Sequence, residues 1–130
     1  MLEIIKYLED MIRMGKAGEI PNEKMRSEFG IFVDDDGYDF GFYTSVRRTR
    51  MDVCYLQTDD QIIEPQYAGF TGFKSDIFVA IQYFPGLDVD EYKVIIWDGD
   101  QFYLISGGSS IRYIREILKA DGFKKVTLER

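Results

Sequence analysis

The sequence predicts an α+β fold: an antiparallel sheet of about five or six strands, with an N-terminal and a C-terminal helix packed on one face. Three observations predict it. Apolar residues recur at helical spacing near the two ends of the chain. Between those ends the apolar period is two. The period-two segments are joined by short turns, and strands joined that way pair antiparallel. Such a sheet needs cover on one face, and two amphipathic helices supply it.

The elements follow in order. Residues 2–14 read as a helix, with Ile5, Leu8 and Ile12 at helical spacing and Ile4 and Met11 beside them. Glu3, Lys6, Glu9, Asp10 and Arg13 form its polar side, and Gly15 and Gly18 end it. After Pro21, Asn22 is placed to cap a single turn through Arg26. Ile31 and Val33, the turn Asp34-Asp35-Asp36-Gly37, and the alternating Tyr38, Phe40, Phe42, Thr44 and Val46 make a hairpin. Met51, Val53 and Tyr55 alternate with Asp52, Cys54 and Leu56 in a further strand. Residues 58–75 hold no sustained period, apart from a short strand at Gln61-Ile62-Ile63. Ile77 to Phe84 is apolar on both faces and reads as a central strand. Tyr92–Trp97 and Gln101–Ser106 form a second hairpin around Asp98-Gly99-Asp100. Ser109 or Ser110 caps a helix that carries Ile111, Ile114, Ile117 and Leu118 on one face. Gly122 ends it, and Phe123 to Leu128 returns as an edge strand.

The length of 130 residues fits a single domain, 1–130, and the 45% of hydrophobic residues is enough for a core. The N-terminus has no uninterrupted apolar run, so no secretory signal is read there. The longest clean apolar run, Val94-Ile95-Ile96-Trp97, is far too short to span a membrane. One cysteine, Cys54, leaves no internal disulfide and no cysteine-based zinc site. These features predict a cytoplasmic protein with no membrane association.

Charge is the strongest functional bias. Residues 1–110 hold 10 Lys/Arg against 20 Asp/Glu, whereas residues 111–130 hold 6 against 3. An acidic body repels phosphate backbones and attracts basic partners, so direct nucleic-acid binding is not expected. The absence of histidine removes Ser-His-Asp and Cys-His catalysis, histidine metal sites and the usual general base near neutral pH. Asp34, Asp35, Asp36 and Asp39 crowd one turn, but Tyr38 falls where a calcium ligand belongs and no closing Glu follows, so they read as a charged turn. Asp98 and Asp100 read the same way. Gly107-Gly108-Ser109-Ser110 lacks the lysine of a phosphate-binding loop and reads as a helix start. Arg47, Arg48 and Arg50 read as a charged strand edge that blocks sheet-to-sheet pairing.

The expected function is a non-enzymatic acidic protein-binding domain that occludes a basic partner, with no cofactor and no metal. Its partner-binding residues are Asp34, Asp35, Asp36, Asp39, Asp59, Asp60, Asp88, Asp90 and Glu91, together with Tyr67 and Phe70 from the aromatic 58–75 segment. In size, charge and composition the chain is similar to bacterial toxin-immunity proteins and to phage-encoded inhibitors of defence nucleases. That likeness implies a basic toxin or nuclease as the partner. A first alternative is enzymatic. Asp76 followed by Glu91-Tyr92-Lys93 resembles the pattern of the PD-(D/E)xK nucleases, although Ser75 stands where that family has proline. The resemblance implies a divalent metal on Asp76 and Glu91, with Lys93 orienting the water. A second alternative is a structural subunit that self-associates through residues 123–128 or the aromatic segment.

Overall fold

The structure, a computed structural model, describes residues 1–33, 40–43, 50–56, 64–66, 69–73, 77–84, 91–106 and 110–128; for 42–43, 64–66, 69–73 and 91 it describes the backbone alone. The elements run α1 (Glu3–Arg13), β1 (Ala17–Ile20), α2 (Asn22–Phe29), β2 (Ile31–Val33), β3 (Phe40–Tyr43), β4 (Met51–Tyr55), β5 (Glu64–Gln66), β6 (Gly69–Phe73), β7 (Phe78–Phe84), β8 (Glu91–Trp97), β9 (Phe102–Ile105), α3 (Ile111–Ala120) and β10 (Lys124–Leu128). A six-stranded antiparallel sheet has the order β1-β9-β8-β7-β4-β10. A four-stranded sheet has the order β2-β3-β6-β5. The fold is α+β, as expected. No helix among the described residues is long and apolar enough to cross a membrane.

The large sheet is covered on both faces, not one. Strand alternation divides its apolar side chains between two cores. Cys54, Val79, Ile81, Val94, Ile96 and Ile105 meet α1 and α3. Met51, Val53, Phe78, Ala80, Ile95 and Trp97 meet α2, β2 and β3. The β2–β3 hairpin therefore belongs to a second layer. Phe78 to Ile81 is apolar in both phases because each phase has its own core, and β7 is an interior strand of the sheet.

Several local expectations change. The buried stripe of α1 is Ile4, Tyr7, Leu8 and Met11, while Ile12 is exposed. The segment after the end of α1 forms β1, a strand that its sequence does not predict, because Gly18 and Glu19 pair with Leu104 and Tyr103 of β9. Asn22 caps nothing. It is the first residue of an eight-residue α2, and its side chain pairs with both backbone groups of Val33, donating from Nδ2 to the carbonyl oxygen (3.0 Å) and accepting at Oδ1 from the N–H (2.9 Å). Ser110 precedes α3, but its side chain makes no cap. Glu64–Gln66 and Gly69–Phe73, inside the stretch without sustained period, pair as strands. The Gln61–Ile63 strand and the Asp34–Gly37 turn lie outside the described residues.

Gly41 faces Phe32 across the β2–β3 pair, and a Cβ there would lie 2.0 Å from that ring. Only glycine lets the Phe32 ring lie across the strand, where the Arg26 guanidinium also stacks on it at 4.5 Å.

The two helices on the outer face are tied at their ends. Asp121, just past α3, accepts hydrogen bonds from the backbone N–H groups of Glu3 and Ile4, both at 2.9 Å. A carboxylate from the far end of the chain thus caps α1, whose own preceding residue, Leu2, has no capping group. Asp121→Ala should lower stability by about 1–2 kcal/mol in urea denaturation. Asp121→Asn should recover only part of that loss, because its one oxygen can accept from one of the two N–H groups while Nδ2 faces the other; full recovery would show that the second acceptor oxygen contributes nothing.

Candidate functional site

The predicted partner-binding residues Asp34, Asp35, Asp36, Asp39, Asp59, Asp60, Tyr67, Asp88 and Asp90 lie outside the described residues, and Phe70 and Glu91 are described by backbone alone. Phe70 sits on β6 opposite Phe42 and Pro65, and Glu91 begins β8 opposite Phe84. Of the nuclease-like set, Asp76 is outside the described residues and Lys93 is a half-buried residue of β8 paired with Gln82. Among the described residues no group of three or more His, Cys, Asp or Glu is placed to hold a metal ion.

Acidic residues are also found near the β1 edge of the large sheet. The β1–β9 pairing sets exposed Glu19 opposite Tyr103, and the turn of the β8–β9 hairpin carries Asp98 and Asp100. Burial pushes the Tyr103 hydroxyl above its ordinary pKa, and the charges of Asp98, Glu19 and Asp100 push it further, as does its hydrogen bond with Glu19. The turn is built by Asp98, whose Oδ1 accepts from the N–H groups of Asp100 (2.9 Å) and Gln101 (2.8 Å), and by Gly99 at φ 106°. It is thus a turn, as expected, and its outer carboxylate, Asp100, is exposed.

A second cluster is built around Asp52, which is 2% exposed. β4 sets Asp52 between Ile81 of β7 and Thr127 of β10. Its Oδ1 accepts from Thr127 Oγ1 at 2.7 Å, and its Oδ2 accepts from the Tyr83 hydroxyl at 3.2 Å. Arg115 of α3 places Nη2 3.7 Å from Oδ2 and donates to the Tyr83 hydroxyl. Arg50 stacks over the Tyr83 ring at 4.1 Å. A buried carboxylate is costly unless hydrogen-bonded and paired, and these groups supply both. Burial, then the Asp52 charge, push the Tyr83 hydroxyl above its ordinary pKa, and Arg115 and Arg50 oppose them. The hydroxyl therefore stays protonated at neutral pH, as a relay between Arg115 and Asp52.

No protein-family model, curated protein or solved structure matches this chain.

Beside Asp52 lies a cavity of about 270 Å³. Its apolar wall is Cys54, Ile81, Leu118 and Phe123, and its cationic side is Arg115, Lys119 and Lys125. Burial, reinforced by the Asp52 charge, pushes the Cys54 thiol up to about 12, so it is a protonated wall group at neutral pH and no thiolate nucleophile. Sequence reasoning missed this site and the Glu19 edge. The available signal was Asp52 itself, a carboxylate inside an otherwise apolar strand. Its partners at 83, 115 and 127 share no local pattern with it.

Proposed function

We propose that the chain is a non-enzymatic protein-binding domain that uses an acidic face to occlude a basic protein partner. The observation that carries this reading is exposed Glu19 on the edge strand β1, paired opposite Tyr103, with Asp98 and Asp100 in the turn of the β8–β9 hairpin that carries Tyr103. A half-buried amphipathic ring on the strand beside exposed Glu19, in the hairpin whose turn bears exposed Asp100, suits an interface: the ring supplies apolar contact and the acids steer a cationic surface toward it. β1 pairs only with β9 among the described residues, so its outer backbone groups are a further place for a partner strand. The excess of 20 Asp/Glu over 10 Lys/Arg in residues 1–110 extends the same field over the body of the molecule. A toxin or nuclease with a cationic active cleft is the partner class that fits, and a cytoplasmic setting is consistent with the single cysteine.

The test is capture from native lysate on the tagged chain, at low and high salt, with the Glu19→Lys/Asp100→Lys variant run beside it. The expected result is a basic protein held at low salt, released at high salt, and bound about tenfold or more weakly by the variant. A partner that is acidic, or one held equally by the variant, overturns the reading. Recovery of the chain alone would favour self-association instead, because β10 at the opposite edge carries Lys124 and Lys125.

A further inference from the structure

The cavity beside Asp52 stands at the other end of the sheet from the acidic edge, and it has the opposite charge. Three cations face it, and the one carboxylate in its wall is already engaged by Thr127, Tyr83 and Arg115. The ammonium groups of Lys119 and Lys125 have no carboxylate partner among the described residues. α3 shields the apolar wall from one side, and β10, as an edge strand, leaves Lys125 exposed on the other. The site therefore offers unpaired positive charge at its mouth and apolar surface inside.

We propose that this cavity binds a small amphipathic monoanion: a carboxylate with a short hydrocarbon tail. The head group would meet Lys119, Lys125 and the remaining donors of the Arg115 guanidinium. The tail would displace water from Ile81, Leu118, Phe123 and the neutral Cys54 thiol. Each alternative ligand class loses one half of that match. An alkylammonium meets three like charges, and the Asp52 oxygens that would attract it already accept two hydrogen bonds. Inorganic phosphate satisfies the cations and leaves the apolar wall wet. The volume is that of roughly nine waters, which sets the tail at a few carbons. It lies just below the usual range of small-ligand pockets, about 300–1,000 Å³.

The experiment is a titration of the full chain with hexanoate, followed by backbone amide chemical shifts. Saturable shifts are expected at Ile81, Leu118, Phe123 and Lys125. Hexylamine and inorganic phosphate are expected to bind about tenfold or more weakly than hexanoate. The Lys119→Ala/Lys125→Ala variant is expected to fold normally, since both side chains are exposed, and to bind hexanoate about tenfold more weakly. Absence of saturable shifts at those amides overturns the proposal. So does equal binding of hexylamine or phosphate, or unchanged affinity in the double variant. Partner capture through the Glu19 edge should be indifferent to the two lysine substitutions, so the two readings fail separately.

Discussion

Replacing Phe78 with alanine should lower the unfolding free energy by about 3–5 kcal/mol. Phe78 is fully buried on the inner face of β7. Its ring meets Phe40 edge-on at 4.7 Å and Phe102 at 6.0 Å. Phe40 comes from the second sheet and also packs on Trp97, at 5.1 Å. Truncation at 78 thus removes apolar burial and two edge-to-face pairs, and it opens a cavity at the contact between the layers. Domains of this kind have about 5–15 kcal/mol in total, so the loss is a large share. In urea denaturation the midpoint should fall with little change in slope. A loss under about 1 kcal/mol would mean that the layers repack without the ring, and the aromatic contact would then not be what joins them.

Asp52→Ala should cost about 2–3 kcal/mol. The figure sits below the 3–5 kcal/mol of a wholly buried pair because the partners keep access to water. Thr127 is exposed, and the Arg115 side chain is 47% exposed. Tyr83 loses most, since its half-buried hydroxyl keeps Arg115 and loses its acceptor. Asp52→Leu should recover little of the loss, because Thr127, Tyr83 and Arg115 stay without their acceptor, and apolar replacement is free of net cost only when the partners are replaced as well. The decisive measurement is a double-mutant cycle between Asp52→Ala and Thr127→Val, read by urea denaturation. A coupling of about 1 kcal/mol is expected. Additive losses would mean that the short Oγ1–Oδ1 contact contributes nothing to stability.

The elements written in local periodicity were legible, and those that depend on distant partners were not. α3 shows its face in Ile114, Ile117 and Leu118, and the β8–β9 hairpin is announced by Asp98-Gly99-Asp100 between two apolar runs. β10 was readable as an edge strand for the same reason. β1 was not, because Ala17-Gly18-Glu19-Ile20 has no strong preference of its own and becomes a strand by pairing with β9. The second layer is not legible in the sequence because the pattern of Phe40 to Tyr43 predicts a strand without saying which sheet it joins. Site residues were harder still. A search for runs of acids finds Asp34–Asp36, whereas Glu19 joins the hairpin that bears Asp98 and Asp100 only through strand register. The Asp52 cluster draws on β4, β7, β10 and α3, so no window of sequence contains it.

The Asp121 carboxylate also sets an order of events during synthesis. The N–H groups of Glu3 and Ile4 are made 117 to 118 residues before the side chain that caps them. At about 5–20 residues per second, that interval is on the order of ten seconds. Helices of about this length are marginal in isolation. During that time α1 has neither its cap nor α3 beside it, and its apolar stripe of Ile4, Tyr7, Leu8 and Met11 can be covered only by strands of the large sheet. α1 therefore reaches its full set of contacts only once α3 and Asp121 have been made.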